Sequence, residues 1–330
     1  MKKIFILVFS TLLLTCFAVA PCAAKTTWNG NSVWPPNNHH TIGMNDFADL
    51  VRSKTGGKLD IVVNAGGALG YKGPELLKAV RDGLLPISDM LISGVAGDAR
   101  IFQIVTLPFL LHSFEEAKIM KDLARPYFDK TTARWNQKIL YIAPWPGAGL
   151  WTKVKISKIA DLKGLKTRTY DKNGAMVVQA TGGTPYALPF SEVYSSLATG
   201  LIDSVITSSP TAVDGKFWEV LKYFQRLNIT IATNMVTVNL RSFNKLEPKV
   251  QQALVDAGRK MEEIMWEKVA ELDKQKEQLC NENGIQTVPV SDEFINSLSK
   301  VTEGIRAKWL KKAPKDAQAL YKEFMDKVGR

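Results

Sequence analysis

The run from about Pro248 to Asn281 constrains the chain more than any other stretch. Val250, Leu254, Met261, Met265, Val269 and Leu272 recur there at spacings of three, four and seven, the repeat of one apolar helix face. Pro248 suits a first helical turn, where a missing N–H costs nothing. At about 1.5 Å per residue the helix is roughly 50 Å long. That exceeds one small domain, so the chain is expected to form two bodies with this helix laid along both. A coiled-coil dimer is the competing reading, and it would need the apolar stripe to continue past Leu272, where it weakens.

Residues 161–210, DLKGLKTRTYDKNGAMVVQATGGTPYALPFSEVYSSLATGLIDSVITSSP, read as β-α-(β)-α-β. Leu165 to Thr169 is strand-like and carries one cation, Arg168. A helix over 174–181 ends at Gly182-Gly183, where a left-handed turn is easily made. Pro185 and Pro189 bracket an extended link, Ser191 is placed to cap a helix over 192–199, and Leu201 to Thr207 is a β-branched strand. Open α/β sheets hold ligands outside the carboxyl ends of their strands, which here means Arg168, Thr207 and Ser208. As a local feature, Arg168 reads equally well as a solvated strand-end charge.

The remaining segments fit an α/β chain. A helix over 41–55, a strand in KLDIVVN, a buried strand over 84–94, a strand over 139–145, a β-branched run over 227–240, and two amphipathic helices opening near Ser291 and Pro314 follow from periodicity and breakers. Met1 to Ala24 has the layout of a secretory signal: two lysines, an apolar run from Ile4 to Val19, then Pro21-Cys22-Ala23-Ala24. Cleavage after Ala24 is expected, with an uncleaved membrane helix or a lipid on Cys22 as the alternatives. Cys280 is then the one cysteine of the mature chain, so no internal disulfide is expected in an oxidising compartment.

The formal net charge of +11 raises nucleic acid or an anionic membrane as a partner. However, acids and lysines alternate in EEIMWEKVAELDKQKEQ, which is the pattern of a solvated helix face, and export argues against nucleic acid. His39-His40 invites a metal, but adjacent side chains diverge and the other histidine, His112, is remote in sequence. A helix cap or the surface is expected for the pair. GGALGYKG lacks the phosphate-loop spacing and is expected to be a tight turn at a cleft edge. No GxSxG or HExxH motif appears, and Cys280 lies in a charged helix, so the expected class is not an enzyme. The absence of repeats argues against a structural array.

DLKGLKTR and LPFSEVYSSLATGLIDS, together with TGGKLDIVV, GGALG and ELLKAVRDG, resemble the solute receptors of tripartite ATP-independent periplasmic (TRAP) transporters. The resemblance covers nearly all of the mature chain. It implies an α/β, two-lobed periplasmic binding protein fold with a hinge and a long domain-spanning helix. The expected division is residues 25–148 plus 235–270 in lobe I and 149–234 plus 271–330 in lobe II. It also implies that Arg168 anchors a substrate carboxylate. Thr207, Ser208, Phe190 and Trp151 are expected beside it, facing Trp34, Tyr71 and Ser93 across the cleft. The implied partners are a small-molecule carboxylate and the TRAP membrane permease subunits. No cofactor, metal or nucleic acid is implied, and a periplasmic monomer is expected. A sensor kinase or another importer is the alternative client.

One departure bears on the ligand. Several TRAP receptors place a second cation or polar group where this chain has Leu150-Trp151. A buried second carboxylate would lack a partner there. The expected ligand is therefore a monocarboxylate with an apolar or aromatic body, such as a 2-oxo or 2-hydroxy acid, rather than a dicarboxylate or sialic acid.

Overall fold

Two sheets, each closed by helices on both faces, make up the fold of residues 25–330, the part of the chain described by a computed structural model. The secretory-signal reading of residues 1–24 lies outside the described residues. The first lobe opens with β1 (Thr26–Asn31), α1 (His39–Lys54), β2 (Leu59–Asn64), α2 (Leu76–Asp82), β3 (Ile87–Leu91), α3 (Phe114–Arg134) and β4 (Gln137–Pro144). The chain crosses to β5 (Gly149–Thr152), β6 (Lys166–Thr169), α4 (Lys172–Ala180), β7 (Thr184–Ala187), α5 (Val193–Ala198), β8 (Ser204–Thr207), α6 (Ser209–Asp214) and β9 (Tyr223–Gln225). It returns through β10 (Thr233–Asn239) and α7 (Leu240–Asn244), and ends with α8 (Pro248–Glu282), β11 (Gln286–Val288), α9 (Asp292–Lys312) and α10 (Lys315–Val328).

Sheet I has the order β2-β1-β3-β10-β4 and sheet II the order β11-β9-β5-β8-β6-β7. In sheet I, β1 pairs in parallel with both β2 and β3. In sheet II, β6 pairs in parallel with both β7 and β8. β1 and β6 are thus points where successive crossovers leave to opposite sides, and a crevice opens at the carboxyl ends of the strands. The β-branched run over 227–240 is a ladder strand only from Thr233 onward. Its first half is an extended crossing, held by Ile229 N–H to the Ala148 carbonyl and by Phe109 N–H to the Ile229 carbonyl, each 2.9 Å.

The long helix runs from Pro248 to Glu282, 35 residues. Its apolar stripe is spent inside the molecule. Val250, Leu254, Met261 and Met265 pack in the lobe I core with Phe47, Tyr141 and Val236, while Cys280, near the other end, packs in lobe II with Trp151 and Phe217. Gly258 permits the closest approach: a Cβ there would fall 2.6 Å from the Leu140 carbonyl oxygen, so any side chain would push α8 off β4. Past Leu272 the buried position passes to Asp273, whose carboxylate accepts from Arg226 Nη1 at 2.6 Å. Glu277 pairs with the same guanidinium. This switch from apolar to ion-paired contact is why the hydrophobic repeat fades. Cys280 is buried and its thiol is pushed up to about 12 by burial.

The carboxy-terminal helices divide differently from the expected boundary. The first two-thirds of α9 packs Phe294, Leu298 and Ile305 into lobe II beside Leu162 and Val177. Trp309, Ala317, Leu320 and Phe324 lie in the lobe I core with Phe102 and Phe128. Residues 309–328 therefore belong with lobe I, a correction to the assignment of 271–330 to lobe II. Ser291 caps α9 by accepting from Phe294 N–H, and Pro314 is the residue before α10. Ser191 does not cap α5; a 3-10 turn over Phe190–Glu192 leads into it instead. Among the described residues no helix is long and apolar enough to cross a membrane.

Candidate functional site

Strand β6 places Arg168, the one cation among the described residues that line the inner cavity. Its neighbour on the opposite face, Thr167, is pinned to Ser204 on β8 by a 2.8 Å hydroxyl contact, which fixes the strand while Arg168 points the other way. Arg168 is 4% exposed, and its Nε donates to the Leu188 carbonyl at 3.0 Å. That bond leaves the fork of terminal nitrogens facing the cavity, and among the described residues the guanidinium makes no ion pair. Burial lowers Arg168 to about 10, with Tyr170 and Asp171 acting in the opposite direction, so it stays a cation at neutral pH.

Around it lies a chamber of about 30 Å³ that continues into an outer cleft of about 400 Å³. Trp34, Leu91, Arg168, Tyr170 and Phe190 line both. Thr207, Ser208 and Thr211 add hydroxyls to the inner chamber. Thr207 ends β8, and its carbonyl accepts from Trp151 Nε1 at 3.0 Å. Ser208 precedes α6, with its hydroxyl 3.4 Å from that of Thr211. Tyr170 is turned by a 2.6 Å hydrogen bond between its hydroxyl and that of Thr230, and burial raises its pKa.

The facing wall comes from lobe I and the crossing strands: Trp34, Leu91, Trp145, Pro146, Ala148 and Ala232. Trp34 and Trp145 meet edge to face with ring centres 4.7 Å apart. Behind them, Trp34 Nε1 donates to Asp89 Oδ2 at 2.8 Å, and Trp145 Nε1 donates to Asn234 Oδ1 at 2.7 Å. Asn234 Nδ2 in turn donates to both Asp89 oxygens at 2.9 Å. Asp89 is fully enclosed, and burial pushes it up to about 7 against these hydrogen bonds. His39 and His40 pack against Trp145, one edge-on and one tilted, with ring centres 4.7 and 4.3 Å from it. Burial holds His39 down to about 3 and His40 well below its ordinary value. Both are neutral packing groups. The cap of α1 is Asn38, so the expected cap or surface role for the pair does not hold. Among the described residues no cluster could hold a metal ion.

Two sets of polar contacts join the lobes. Asn38 Nδ2 reaches Asp214 Oδ2 at 2.6 Å. Asn173 Nδ2 donates to the Gln103 carbonyl at 2.9 Å and to the Thr106 hydroxyl at 3.1 Å. Burial raises Asp214 to about 6.

Of the residues singled out in the sequence, the structure brings Arg168, Thr207, Ser208, Phe190 and Trp34 to one cavity. The other three lie elsewhere. Trp151 is fully buried in the lobe II core, stacked on Phe224 at 4.1 Å, so it supports the Thr207 strand end from behind rather than lining the cavity. Tyr71 packs partly buried against the lobe I core, while its neighbours Lys72 and Gly73, with Gly66 and Gly67, line the outer cleft. Ser93 is buried at the lobe boundary beside Asp171, with Thr106. The sequence does not single out Tyr170, Asp89 and Asn234; of these only Tyr170 carries a local signal, two residues beyond Arg168 and just past the strand end.

The family model of bacterial extracellular solute-binding protein, family 7, matches residues 30–323. The chain is 30% identical over 274 residues to the 2,3-diketo-L-gulonate-binding periplasmic protein YiaO of Escherichia coli K12, covering 80% of each chain. It superposes with a TM-score of 0.88 on DctP7, a Bordetella pertussis extracytoplasmic solute receptor binding pyroglutamic acid. That pair is 30% identical, over 91% of this chain and 99% of the other. A marine metagenome TRAP solute-binding protein specific for pyroglutamate gives a TM-score of 0.87 at 29% identity, over 92% of this chain and 99% of the other.

Proposed function

The chain belongs to bacterial extracellular solute-binding protein family 7, the solute receptors of TRAP transporters, and from that premise we propose that it captures a compact monocarboxylate and delivers it to a membrane permease. The observation that carries the reading is the buried guanidinium of Arg168, unpaired among the described residues and facing the chamber. A planar fork with two parallel N–H groups fits one carboxylate bidentately. The chamber walls beyond it are aromatic and aliphatic, so the rest of the ligand is apolar or carries few polar groups.

The lining narrows the class. The inner chamber of about 30 Å³ has space for about two or three waters, at roughly 10–15 Å³ each, and opens into the outer cleft of about 400 Å³. The aromatic walls beside Arg168, more than volume, therefore favour a compact ring over a polyol chain. Pyroglutamate, a five-membered lactam acid, is bound by two relatives that superpose over nine-tenths of this chain. Its carboxylate would sit on Arg168, its lactam oxygen and N–H near Thr207, Ser208 and Thr211, and its methylenes against Trp34 and Trp145. A 2-oxo acid, the chemistry of the ligand of the Escherichia coli relative, is the second reading. The three hydroxyls beside Arg168 favour it by offering partners to a 2-oxo oxygen.

The mechanism is capture by closure. A ligand that touches Arg168 on lobe II and the indoles on lobe I favours the closed arrangement by its differential affinity. Mass spectrometry of small molecules released from purified protein, followed by a thermal-shift panel, tests the assignment. Pyroglutamate should give the largest shift, ahead of 2-oxo acids, succinate, malate and glucuronate. A larger shift from a dicarboxylate would overturn the monocarboxylate reading.

A further inference from the structure

The circuit behind the indoles has a consequence for selectivity. Trp34 and Trp145 bring the only side-chain hydrogen-bond donors on the lobe I wall of the inner chamber, among the described residues. Both donors are spent away from the cavity, on Asp89 and Asn234. Two of the wall's backbone donors are spent as well: Trp145 N–H donates to the Ala232 carbonyl and Ala148 N–H to the Thr230 carbonyl, each at 2.8 Å. In the inner chamber lobe I therefore offers ring surface and hydrocarbon, with no side-chain donor free for a second acid among the described residues; Lys72 lines only the outer cleft.

Asp89 is an unusual residue for this task. It is 1% exposed on a central strand, and no cation pairs with it among the described residues. An apolar side chain would fill the same place without the cost of burying a carboxyl group. What a carboxyl adds is two acceptor oxygens at one point. One takes the Trp34 indole, and together they hold the Asn234 amide so that its carbonyl meets the Trp145 indole. Strand pairing supplies the geometry, since β3 and β10 place Asp89 opposite Val236 and Leu91 opposite Asn234.

We propose that Asp89 is a specificity-determining positioning residue: through Asn234 it turns both indole N–H groups away from the chamber and so excludes ligands carrying a second carboxylate. Asp89 does not line the chamber and acts through the two rings. The exclusion works by absence of a partner, because a second charge against a wall with no free side-chain donor is desolvated without compensation. This rests on the chamber being the ligand site, as proposed above.

The test has two arms. In ligand-free protein, hydrogen exchange at the ¹⁵N-labelled indole N–H groups is followed by NMR. Both Trp34 and Trp145 should exchange slowly in wild type and in Arg168→Ala. Exchange at Trp34 should accelerate in Asp89→Leu, and exchange at Trp145 in Asn234→Leu. Asp89→Asn, which keeps an acceptor oxygen, should restore slow exchange at Trp34. In the second arm, calorimetry compares pyroglutamate with glutarate, a dicarboxylate of the same carbon count. The preference for pyroglutamate should fall roughly tenfold or more in Asp89→Leu and in Asn234→Leu, and stay near wild type in Asp89→Asn. Rapid exchange at both indoles in wild type, or an unchanged preference in Asp89→Leu and Asn234→Leu with accelerated exchange, would overturn the proposal. If wild type does not bind pyroglutamate, the ligand reading fails and the exchange arm alone decides the positioning claim. If Asp89→Leu does not fold, Asn234→Leu and Asp89→Asn carry both arms.

Discussion

The two lobes meet one cavity with opposite chemistry. Lobe II presents a buried cation and three hydroxyls, Thr207, Ser208 and Thr211, at the carboxyl ends of parallel strands. Lobe I presents indole and aliphatic surface whose polar atoms are tied up behind the wall. Both sheets are built around the same kind of crossover switch point, so the topology supplies two equivalent crevices and the side chains make them different. Neither half alone holds an amphipathic acid well: one would leave its body in water and the other its charge in a dry wall. Under the proposed function, dividing the two tasks between lobes would make closure the event that assembles the site, and a ligand bridging them would shift the balance only by its preference for the closed state.

That contrast can be broken or sharpened, and the largest effect is expected one layer behind the lobe II face. Trp151, stacked on Phe224 in the core, should cost about 3–5 kcal/mol of stability when truncated to alanine, measured by chemical denaturation. In the protein that remains folded, affinity should change much less. A large affinity loss without a stability loss would return Trp151 to the cavity. Arg168→Ala should show the reverse pattern. Losing one partner of a buried charge pair costs about 2–5 kcal/mol of binding, or roughly thirty- to several-thousand-fold in affinity. The ligand-free protein should be no less stable, because a buried, unpaired cation has been removed. Arg168→Lys should recover only part of the affinity, since a point charge cannot reproduce the fork.

Ligand should next stabilise the whole molecule and close it. At a hundred times the dissociation constant the gain is about 2.7 kcal/mol, and X-ray scattering should give a smaller radius for the bound form. An identical radius in both forms would contradict closure.

The smallest effect is a pH slope from lobe I. Asp89 is held near 7 by burial, against an ordinary value of about 3.9. Across that window the folded protein keeps a proton that the unfolded chain has released, so Asp89's contribution is full below the lower value and lost as pH rises through 7. Asp89→Asn removes this loss and should gain on wild type by up to about 1.4 kcal/mol per pH unit within the window. His39 and His40, held down to about 3 and lower, act in the opposite direction in both proteins and cancel from the comparison. Denaturation curves at about pH 5 and about pH 7 check the sign; a constant difference between the two proteins would contradict it.

Much of this architecture was legible in the chain. The apolar repeat gave α8 to within a residue, and the breakers around residues 161–210 gave the β6 to β8 unit with Arg168 and Thr207 near the strand ends. Trp151 was misplaced for a definite reason. Every residue of β5 is buried, so no polar alternation marks which face meets the cleft, and a one-residue error turns a side chain from cavity to core. Tyr71 failed because φ-positive glycines at 66, 67 and 70 fold the loop so that Lys72 and Gly73 reach the cleft instead. The lobe of α10 was unreadable because helical period names a buried face and not its neighbour. The link between Asp89 and Asn234 spans 145 residues, and neither residue stands in a motif, so only the strand pairing reveals it.

The central claim is that Arg168 carries the ligand carboxylate, and a thermodynamic cycle tests it most directly. Calorimetry would measure pyroglutamate and its neutral carboxamide against wild type and Arg168→Ala. Groups in direct contact are non-additive, with coupling energies of about 0.5–3 kcal/mol. Removing the charge from the ligand should therefore weaken binding strongly in wild type and much less once Arg168 is gone. If wild type binds pyroglutamate, but the carboxamide loses the same factor against both proteins, Arg168 does not hold the carboxylate and the site must be redrawn around another group.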